Sequence, residues 1–271
     1  MKEILATILY QPLVNILILF YKASGNFGIA LIALTILIRV LLIPLTLPSM
    51  RAAEKIKELA PELEKLKKKY GKDKQKFAKA QLELYQKAGA NPAAGCLPQI
   101  IQLVILITLY QAFMNVLKIG EINKLNETLY PFFKLASNTV INTKFLFLDL
   151  NKPDIFRIPG VAFPLPGIFL VLSAVLQFLS SKMMMPAIQK AKEVAKKTEG
   201  AKDDMATEMQ SQMMYMFPLM TLIIGYSFPS GLVLYWLVFS LFTAVQQYFI
   251  SGWGGLTPWI NKLRSKSVKT I

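Results

Sequence analysis

The sequence lacks histidine and contains one cysteine, Cys96, among 271 residues. Metal sites built on histidine or thiolate, cysteine–histidine nucleophiles and disulfide frameworks all require more of these residues than the chain has. The G-x-x-x-x-G-K-[ST] loop that cradles nucleotide phosphates is also absent from the sequence. We therefore expect a protein that is not an enzyme and has no cofactor and no metal. Any energy that its activity needs must come from outside this chain.

Acidic residues are missing from the apolar parts of the sequence. The chain is 54% hydrophobic with a mean hydropathy of +0.43, and its 16 Asp and Glu lie outside five long apolar runs. A bilayer-spanning helix needs about 17–25 predominantly apolar residues. The sequence thus predicts an all-α polytopic membrane protein with five transmembrane helices. A proton-coupled transporter is disfavoured, because such proteins relay protons through intramembrane Asp, Glu or His.

The distribution of positive charge predicts the orientation of the chain. Twenty-one Lys and Arg lie in 49–96, 183–212 and 251–271, against eight in the N-terminal segment and 118–160. The positive-inside rule therefore places the N-terminus outside and the C-terminus in the cytosol. The predicted segments are an N-terminal interfacial helix and outer segment (1–26), a first span (27–48), a basic cytosolic helical hairpin (49–96), a second span (97–117), an outer loop (118–160), a third span (161–182), a second cytosolic loop (183–212), a fourth span (213–229), a fifth span (232–250) and a short basic cytosolic tail (251–271).

Two of these segments leave alternatives open. The apolar run 4–21 is interrupted by Gln11-Pro12 and Asn15, which favours a helix lying on the outer membrane surface over a sixth span. In 49–96, apolar residues recur every three or four positions in two stretches, which predicts two helices, and Pro61 predicts a kink in the first. The resulting hairpin suits anionic lipid head groups, ribosomal RNA or a partner protein, and the alternative is a solvated charged linker.

Arg39 interrupts the first apolar run, in "TILIRVLLIP". A central arginine costs about 2.5–3.5 kcal/mol on insertion, and such residues usually face a bundle interior or a water-filled cavity. Because no acid lies in the spans, we expect water and uncharged side chains around it, which predicts a hydrated, positively charged groove that an anionic or polar segment can enter. The alternative is an arginine that snorkels to lipid phosphate. The candidate groove residues on the other spans are Gln99 and Gln102 on the second, Gln177 and Ser180 on the third, and Gln246 and Gln247 on the fifth.

Three stretches together resemble one known family. "GNFGIALIALTILIRVLLIPLT", "NPAAGCLPQIIQLVILITLYQAF" and "FPSGLVLYWLVFSLFTAVQQYFI" resemble the first, second and fifth spans of YidC-type membrane protein insertases. The hairpin stretch "LAPELEKLKKKYGKDKQK" belongs to the same resemblance, which runs from about Gln11 to Ile250. The chain resembles the short form of the family, without a large outer domain.

The resemblance implies five spans around a hydrophilic groove that is open to the cytosol and to lipid, with Arg39 as its cation. It also implies that Trp236 lines the groove wall, for which plain core packing is the alternative. The chain departs from the family pattern where Ser180 and Ser181 stand in place of a glutamine, so Gln177 is the nearest amide.

The leading hypothesis is an ATP-independent insertase and folding assistant in the bacterial cytoplasmic membrane. Its expected partners are nascent membrane protein clients and membrane lipid, together with the ribosome and the general secretion translocon as further candidates, and no DNA. The alternative is an anion channel or transporter in which Arg39 attracts an anionic solute.

Overall fold

The computed structural model describes residues 6–70, 73–89, 97–117, 122–160, 164–184 and 205–267. Helices dominate these ranges, which confirms the predicted helical class. The helices are α1 (Gln11–Ser24), α2 (Phe27–Leu41), α3 (Ile43–Glu58), α4 (Ala60–Tyr70), α5 (Lys74–Lys87), α6 (Leu97–Val116), α7 (Ile122–Thr128), α8 (Ile168–Met184), α9 (Met205–Gly225), α10 (Ser230–Ser251) and α11 (Thr257–Ser267). A π-helical turn, Ala6–Tyr10, precedes α1, and 3-10 turns occupy Pro131–Phe133 and Gly254–Leu256.

The five predicted spans differ in how far the described helices match them. Among the helices that the structure describes, only α10 is long and apolar enough by itself to cross a membrane, and α2 with α3 gives a second candidate if the two form one interrupted span. Three further apolar helical stretches are shorter, namely Ile100–Val116, Ile168–Met183 and Met214–Gly225. Five spans therefore remain a prediction.

Several helix bounds differ from the predicted segments. Helix α2 ends at Leu41, and α3 continues through Pro48 to Glu58, beyond the predicted end of the first span. Helix α8 begins only at Ile168, because Leu165–Pro166 is extended and pairs with another strand. Helix α9 begins at Met205, inside the predicted second cytosolic loop, of which residues 185–204 lie outside the described ranges.

The predicted hairpin 49–96 is helical where it is described. Helix α3 ends at Glu58 and α4 begins at Ala60, so the interruption lies just before Pro61. Proline is tolerated in the first turn of a helix, where no backbone N–H is needed for helical bonding. Helix α4 packs against α5. The ranges 71–72 and 90–96 lie outside the description.

The chain divides into two compact units. The first comprises Met1–Leu42, Ile100–Leu176 and Pro218–Phe242, and the second comprises Ile43–Gln99, Gln177–Phe217 and Thr243–Ile271. Apolar residues fill the interior of the first unit. Its fully buried side chains include Val14, Ile18, Phe27, Leu34 and Val233.

The connection between α6 and α8, here called the 122–160 connection, contains α7 and most of two small antiparallel hairpins. Strands β1 (Lys144–Phe145) and β2 (Leu148–Asp149) form the first hairpin. Strands β3 (Ile155–Phe156) and β4 (Leu165–Pro166) form the second. Both hairpins belong to the first unit.

The 122–160 connection is tied to α1 by the buried side chain of Asn15 and to α2 by the half-buried side chain of Asn26, which donates to the Lys144 carbonyl at 2.8 Å. The Asn15 carboxamide donates to the Thr128 carbonyl at 3.2 Å and accepts from the Tyr130 N–H at 2.7 Å. Asn26 accepts from the Gly28 and Ile29 N–H groups, which caps α2. The interruption of the apolar run 4–21 at Asn15 thus serves packing against the connection, while the surface position of α1 remains a prediction.

Asp154 caps α8 from the same connection. Its carboxylate accepts from the Leu170 N–H at 2.8 Å, and its backbone carbonyl accepts from the Gly167 N–H at 2.7 Å. Burial raises the pKa of the Asp154 carboxyl, against the opposing effect of the N–H groups of Leu170 and Phe169. The start of the predicted third span is therefore fixed by an acid from the loop before it.

Candidate functional site

Arg39 lies in the last turn of α2 and is only 7% exposed. Its guanidinium carbon lies 4.5 Å from the ring centroid of Phe239 and 5.0 Å from that of Phe242. Such cation–π contacts contribute about 2 kcal/mol or more when they are desolvated. The aromatic face of α10 thus offsets part of the cost of burying the cation.

The spacing of aromatic residues on α10 explains why two rings meet one guanidinium. Tyr235, Phe239 and Phe242 follow each other at four and three residues, which places them on one helix face. The rings of Tyr235 and Phe239 lie 6.2 Å apart, and Tyr235 is buried. These residues are not among those predicted from the sequence, although their spacing indicates a continuous aromatic stripe.

Gln102 joins the site through Tyr235. Its amide nitrogen donates to the Tyr235 hydroxyl, and both residues belong to the first unit. Thr35, one turn before Arg39, is buried and donates to the Leu31 carbonyl at 2.6 Å within α2. The Arg39 site therefore combines a cation, an amide, a phenol and two phenylalanine rings.

Trp236 has a different set of neighbours. Its ring centroid lies 5.8 Å from that of Phe228, and a side chain at Gly225 would meet its ring edge at 3.2 Å. Consecutive helical residues point about 100° apart, so Trp236 and Tyr235 face different directions. These contacts place Trp236 against the α9–α10 turn, and its position on the groove wall stays a prediction.

The remaining candidate residues lie elsewhere in the chain. Gln99 stands in the first turn of α6, and its side chain lies outside the described part of the structure. Gln177 and Ser180 lie on α8 in the second unit, where Ser180 is buried and Gln177 is half-buried. Gln246 donates to the Thr46 hydroxyl at 3.1 Å, also within the second unit. Of the predicted groove residues, the first unit thus brings Gln102 into the cluster that holds Arg39.

The chemistry of this site is electrostatic. Arginine stays protonated under all ordinary conditions and presents a fixed fork of N–H donors. In a setting of low dielectric constant, its attraction for an anion is much stronger than in water. Among the described residues, no group of three or more His, Cys, Asp or Glu could hold a metal ion. The arrangement suits recognition of an anionic or polar group.

Comparison with known proteins gives a consistent result. The family model described as 60Kd inner membrane protein matches residues 19–254. The membrane protein insertase YidC of Fusobacterium nucleatum subsp. nucleatum is 38% identical over 229 residues, covering 84% of this chain and 88% of that protein. The membrane protein insertase MisCA of Bacillus subtilis is 31% identical over 246 residues, covering 89% of this chain and 77% of that protein.

A solved structure supports the same relationship. The crystal structure of an active YidC insertase with its first transmembrane domain resolved has a TM-score of 0.53 at 25% identity. The match covers 89% of this chain and 45% of the solved chain. Fold and comparisons together define a multi-pass helical protein of the bacterial inner membrane.

The chain belongs to the 60Kd inner membrane protein family, which confirms the resemblance drawn from its first, second and fifth apolar runs.

Proposed function

We propose that this protein inserts client transmembrane segments into the membrane and assists their folding without ATP. The observation that carries the proposal is Arg39, a cation buried against the rings of Phe239 and Phe242 in a member of this family. Tyr235 lies beside Phe239 and bonds Gln102. The names of the relatives, membrane protein insertases, support the same activity.

The free energy of insertion is compatible with a protein that works without ATP. Burying an apolar helix in lipid is favourable by about 25 cal/mol for each Å² removed from water. The barrier is the transfer of the client's short polar tail through hydrocarbon, where unpaired polar groups are costly. A hydrated groove that is open to the cytosol and to lipid shortens this path.

The residues of the Arg39 site have separable roles in this proposal. Arg39 attracts acidic groups of the client tail. The rings of Phe239 and Phe242 hold the guanidinium in place and provide an apolar surface for the client's helix, while Gln102 and Tyr235 offer hydrogen bonds to uncharged polar groups. Gln99, Gln177, Ser180 and Trp236 are proposed to line the groove further along.

The proposed topology follows from the charge distribution. The N-terminus lies outside, the C-terminus lies in the cytosol, and five spans enclose the groove. The basic hairpin α4–α5 then lies on the cytosolic side, where its lysines suit anionic lipid head groups or a ribosome delivering the client. The general secretion translocon is a further proposed partner.

Reconstitution tests the activity directly. The purified protein is incorporated into liposomes, and a small single-span client with a short acidic tail is added without nucleotide. We expect the tail to be protected from protease to a greater extent than in empty liposomes. Leakage of small anions without client protection would contradict the proposal and favour the channel alternative.

Arg39 variants test the mechanism. Since Lys keeps the charge, Arg39→Lys should retain most of the activity, while Arg39→Ala should reduce insertion of acidic-tailed clients about tenfold, equal to about 1.4 kcal/mol. Clients with a neutral tail should be affected less. Lys79→Ala, which removes an exposed cation from α5, is the matched control. Equal activity of Arg39→Ala on every client would remove this residue from the mechanism.

A further inference from the structure

The tip of the β1–β2 hairpin, here called the hairpin tip, consists of Leu146 and Phe147. Strand pairing joins Lys144 to Asp149 and Phe145 to Leu148, which leaves these two residues as the turn. Leu146 is 76% exposed and Phe147 is 60% exposed. Two large apolar side chains therefore stand at the end of a short, otherwise partly polar hairpin.

The backbone of the hairpin tip is unfavourable for the residue it carries. Leu146 has a φ of 53°, and it is the one non-glycine residue with positive φ in the described ranges. Leucine adopts the left-handed region at a cost that Gly or Asn largely avoids. Two-residue hairpin turns therefore prefer Asn-Gly or Gly at these positions. A strained and exposed leucine points to a role for its side chain outside the hairpin.

The hairpin tip is held at the level where two membrane helices begin. The Asn26 amide, at the start of α2, donates to the Lys144 carbonyl at 2.8 Å. The Phe147 ring lies 5.6 Å from that of Phe169, in the first turn of α8. The Phe145 ring lies against Gly28, where there is no room for a side chain. These contacts fix the hairpin to the starts of α2 and α8 together.

The exposed faces of those two helices continue from the hairpin tip. On α8, exposed Ile168, Leu172 and Val175 form one stripe at four and three residues. On α2, Ile29 and Ile36 are likewise exposed. In a multi-pass membrane protein, exposed apolar stripes on apolar helices face lipid. The hairpin tip thus extends a lipid-facing surface to the boundary where the helices begin.

We propose that Leu146 and Phe147 insert into the interfacial region of the phospholipid leaflet at which α2 and α8 begin. Leu and Phe are among the apolar side chains by which surface-bound segments enter the boundary where the head groups meet the acyl chains. The hairpin thereby anchors this end of the helices to lipid. This inference depends on the membrane class of the protein and goes beyond its proposed insertase activity, so either can fail without the other.

A site-directed probe tests the depth of the hairpin tip. Leu146→Cys on a Cys96→Ser background is labelled with an environment-sensitive fluorophore and reconstituted in phosphatidylethanolamine–phosphatidylglycerol vesicles. Ser137→Cys, an exposed polar position in the same connection, is the matched control. We expect lipids with a spin label near the head group to quench the Leu146 probe, and aqueous iodide to quench it about threefold less than the Ser137 probe.

A probe at Phe147 tests the same proposal in case Leu146→Cys distorts the turn. Phe147→Cys combined with Leu146→Asn carries the probe on a turn whose first residue tolerates positive φ. The same pattern of quenching is expected there. Iodide quenching equal to that of the Ser137 probe at both positions would overturn the proposal. Shielding from both quenchers would overturn it too, because a protein surface would then cover the hairpin tip.

Discussion

The 122–160 connection and the α4–α5 hairpin both lie between predicted spans, but they are held in different ways. In the connection, the Asn142 N–H donates to the Tyr21 hydroxyl and the Lys22 ammonium donates to the Lys134 carbonyl, over 121 and 112 residues of sequence. In α5 and its cap, the hydrogen bonds from Lys76 to Asp73 and from Gln81 to Tyr85 span three and four residues.

This difference separates a region bonded to distant parts of the first unit from one in which these side-chain bonds are local. Bonds between distant residues form only when the whole unit is assembled, so damage to one should spread through the unit. Bonds within one helical turn form and break with that turn. We therefore expect a substitution in the hairpin to act locally and one in the 122–160 connection to act across the first unit.

The largest expected effect comes from Gly167→Ala. A β carbon at this position would collide with the Asp154 carboxylate, which caps α8, and overpacking of this kind costs about 1–3 kcal/mol. We expect a lowered thermal midpoint in detergent and faster hydrogen exchange across both 122–160 and the start of α8. The matched control is Ala78→Gly in α5, which should loosen α5 alone. If Gly167→Ala loosened only its own turn, the two regions would not differ as described.

Both regions contain a helix whose start is capped by a side chain, so removing each cap compares the two regions directly. Asn26 caps α2 and also bonds the Lys144 carbonyl, whereas Asp73 caps α5 by accepting from the Lys76 N–H at 3.1 Å. We expect Asn26→Ala to cost about 1–2 kcal/mol and to accelerate hydrogen exchange in the β1–β2 hairpin as well as in α2.

Asp73→Ala should have a smaller effect, confined to residues 74–87. Each variant serves as the other's control, since both remove one cap. Spread of the Asp73→Ala effect into other helices, measured by hydrogen exchange, would contradict a locally folded hairpin.

The smallest expected effect is an opposite response of the two regions to pH. Burial raises the pKa of Asp154, so the folded state binds the proton more tightly and loses stability as pH rises through that pKa. Hydrogen bonds from Lys76, first from its backbone N–H and then from its side chain, lower the pKa of Asp73, so its contribution is lost as pH falls.

Hydrogen exchange, corrected for the intrinsic effect of pH, can detect both signs in one experiment. Acidification from about pH 6 to about pH 3 crosses the ordinary carboxyl range. It should strengthen protection at the start of α8 and weaken it at the start of α5. Asp154→Asn and Asp73→Asn should each abolish the response of their own region. If protection changed in the same direction at the starts of α8 and α5, the carboxyls of Asp154 and Asp73 would not lie in the different environments described.

The sequence predicts the parts of this molecule that depend on local pattern. Apolar runs predict its helices, and Pro61 predicts the interruption beside α4 because proline affects its own helical turn. Arg39 is found by the same reasoning, since a charge in an apolar run is conspicuous without any knowledge of its neighbours.

The contacts of those residues depend on which helices meet. Arg39 contacts Phe239 and Phe242, which lie 200 or more positions away in the sequence. The sequence alone does not show that α2 packs against α10, so it does not connect this aromatic stripe with Arg39. Asp154 is similar, because it caps a helix that begins fourteen residues later. A loop acid gives no sign in the sequence that it is buried.

The bonds of Ser230 and Gly231 also set an order of events during synthesis. Their N–H groups donate to the carbonyls of Lys152 and Leu150, at 2.7 and 3.0 Å, so the 122–160 connection closes against the start of α10. Synthesis must therefore pass Gly231 before this closure can form. Until then, the carbonyls of Lys152 and Leu150 lack these two backbone donors.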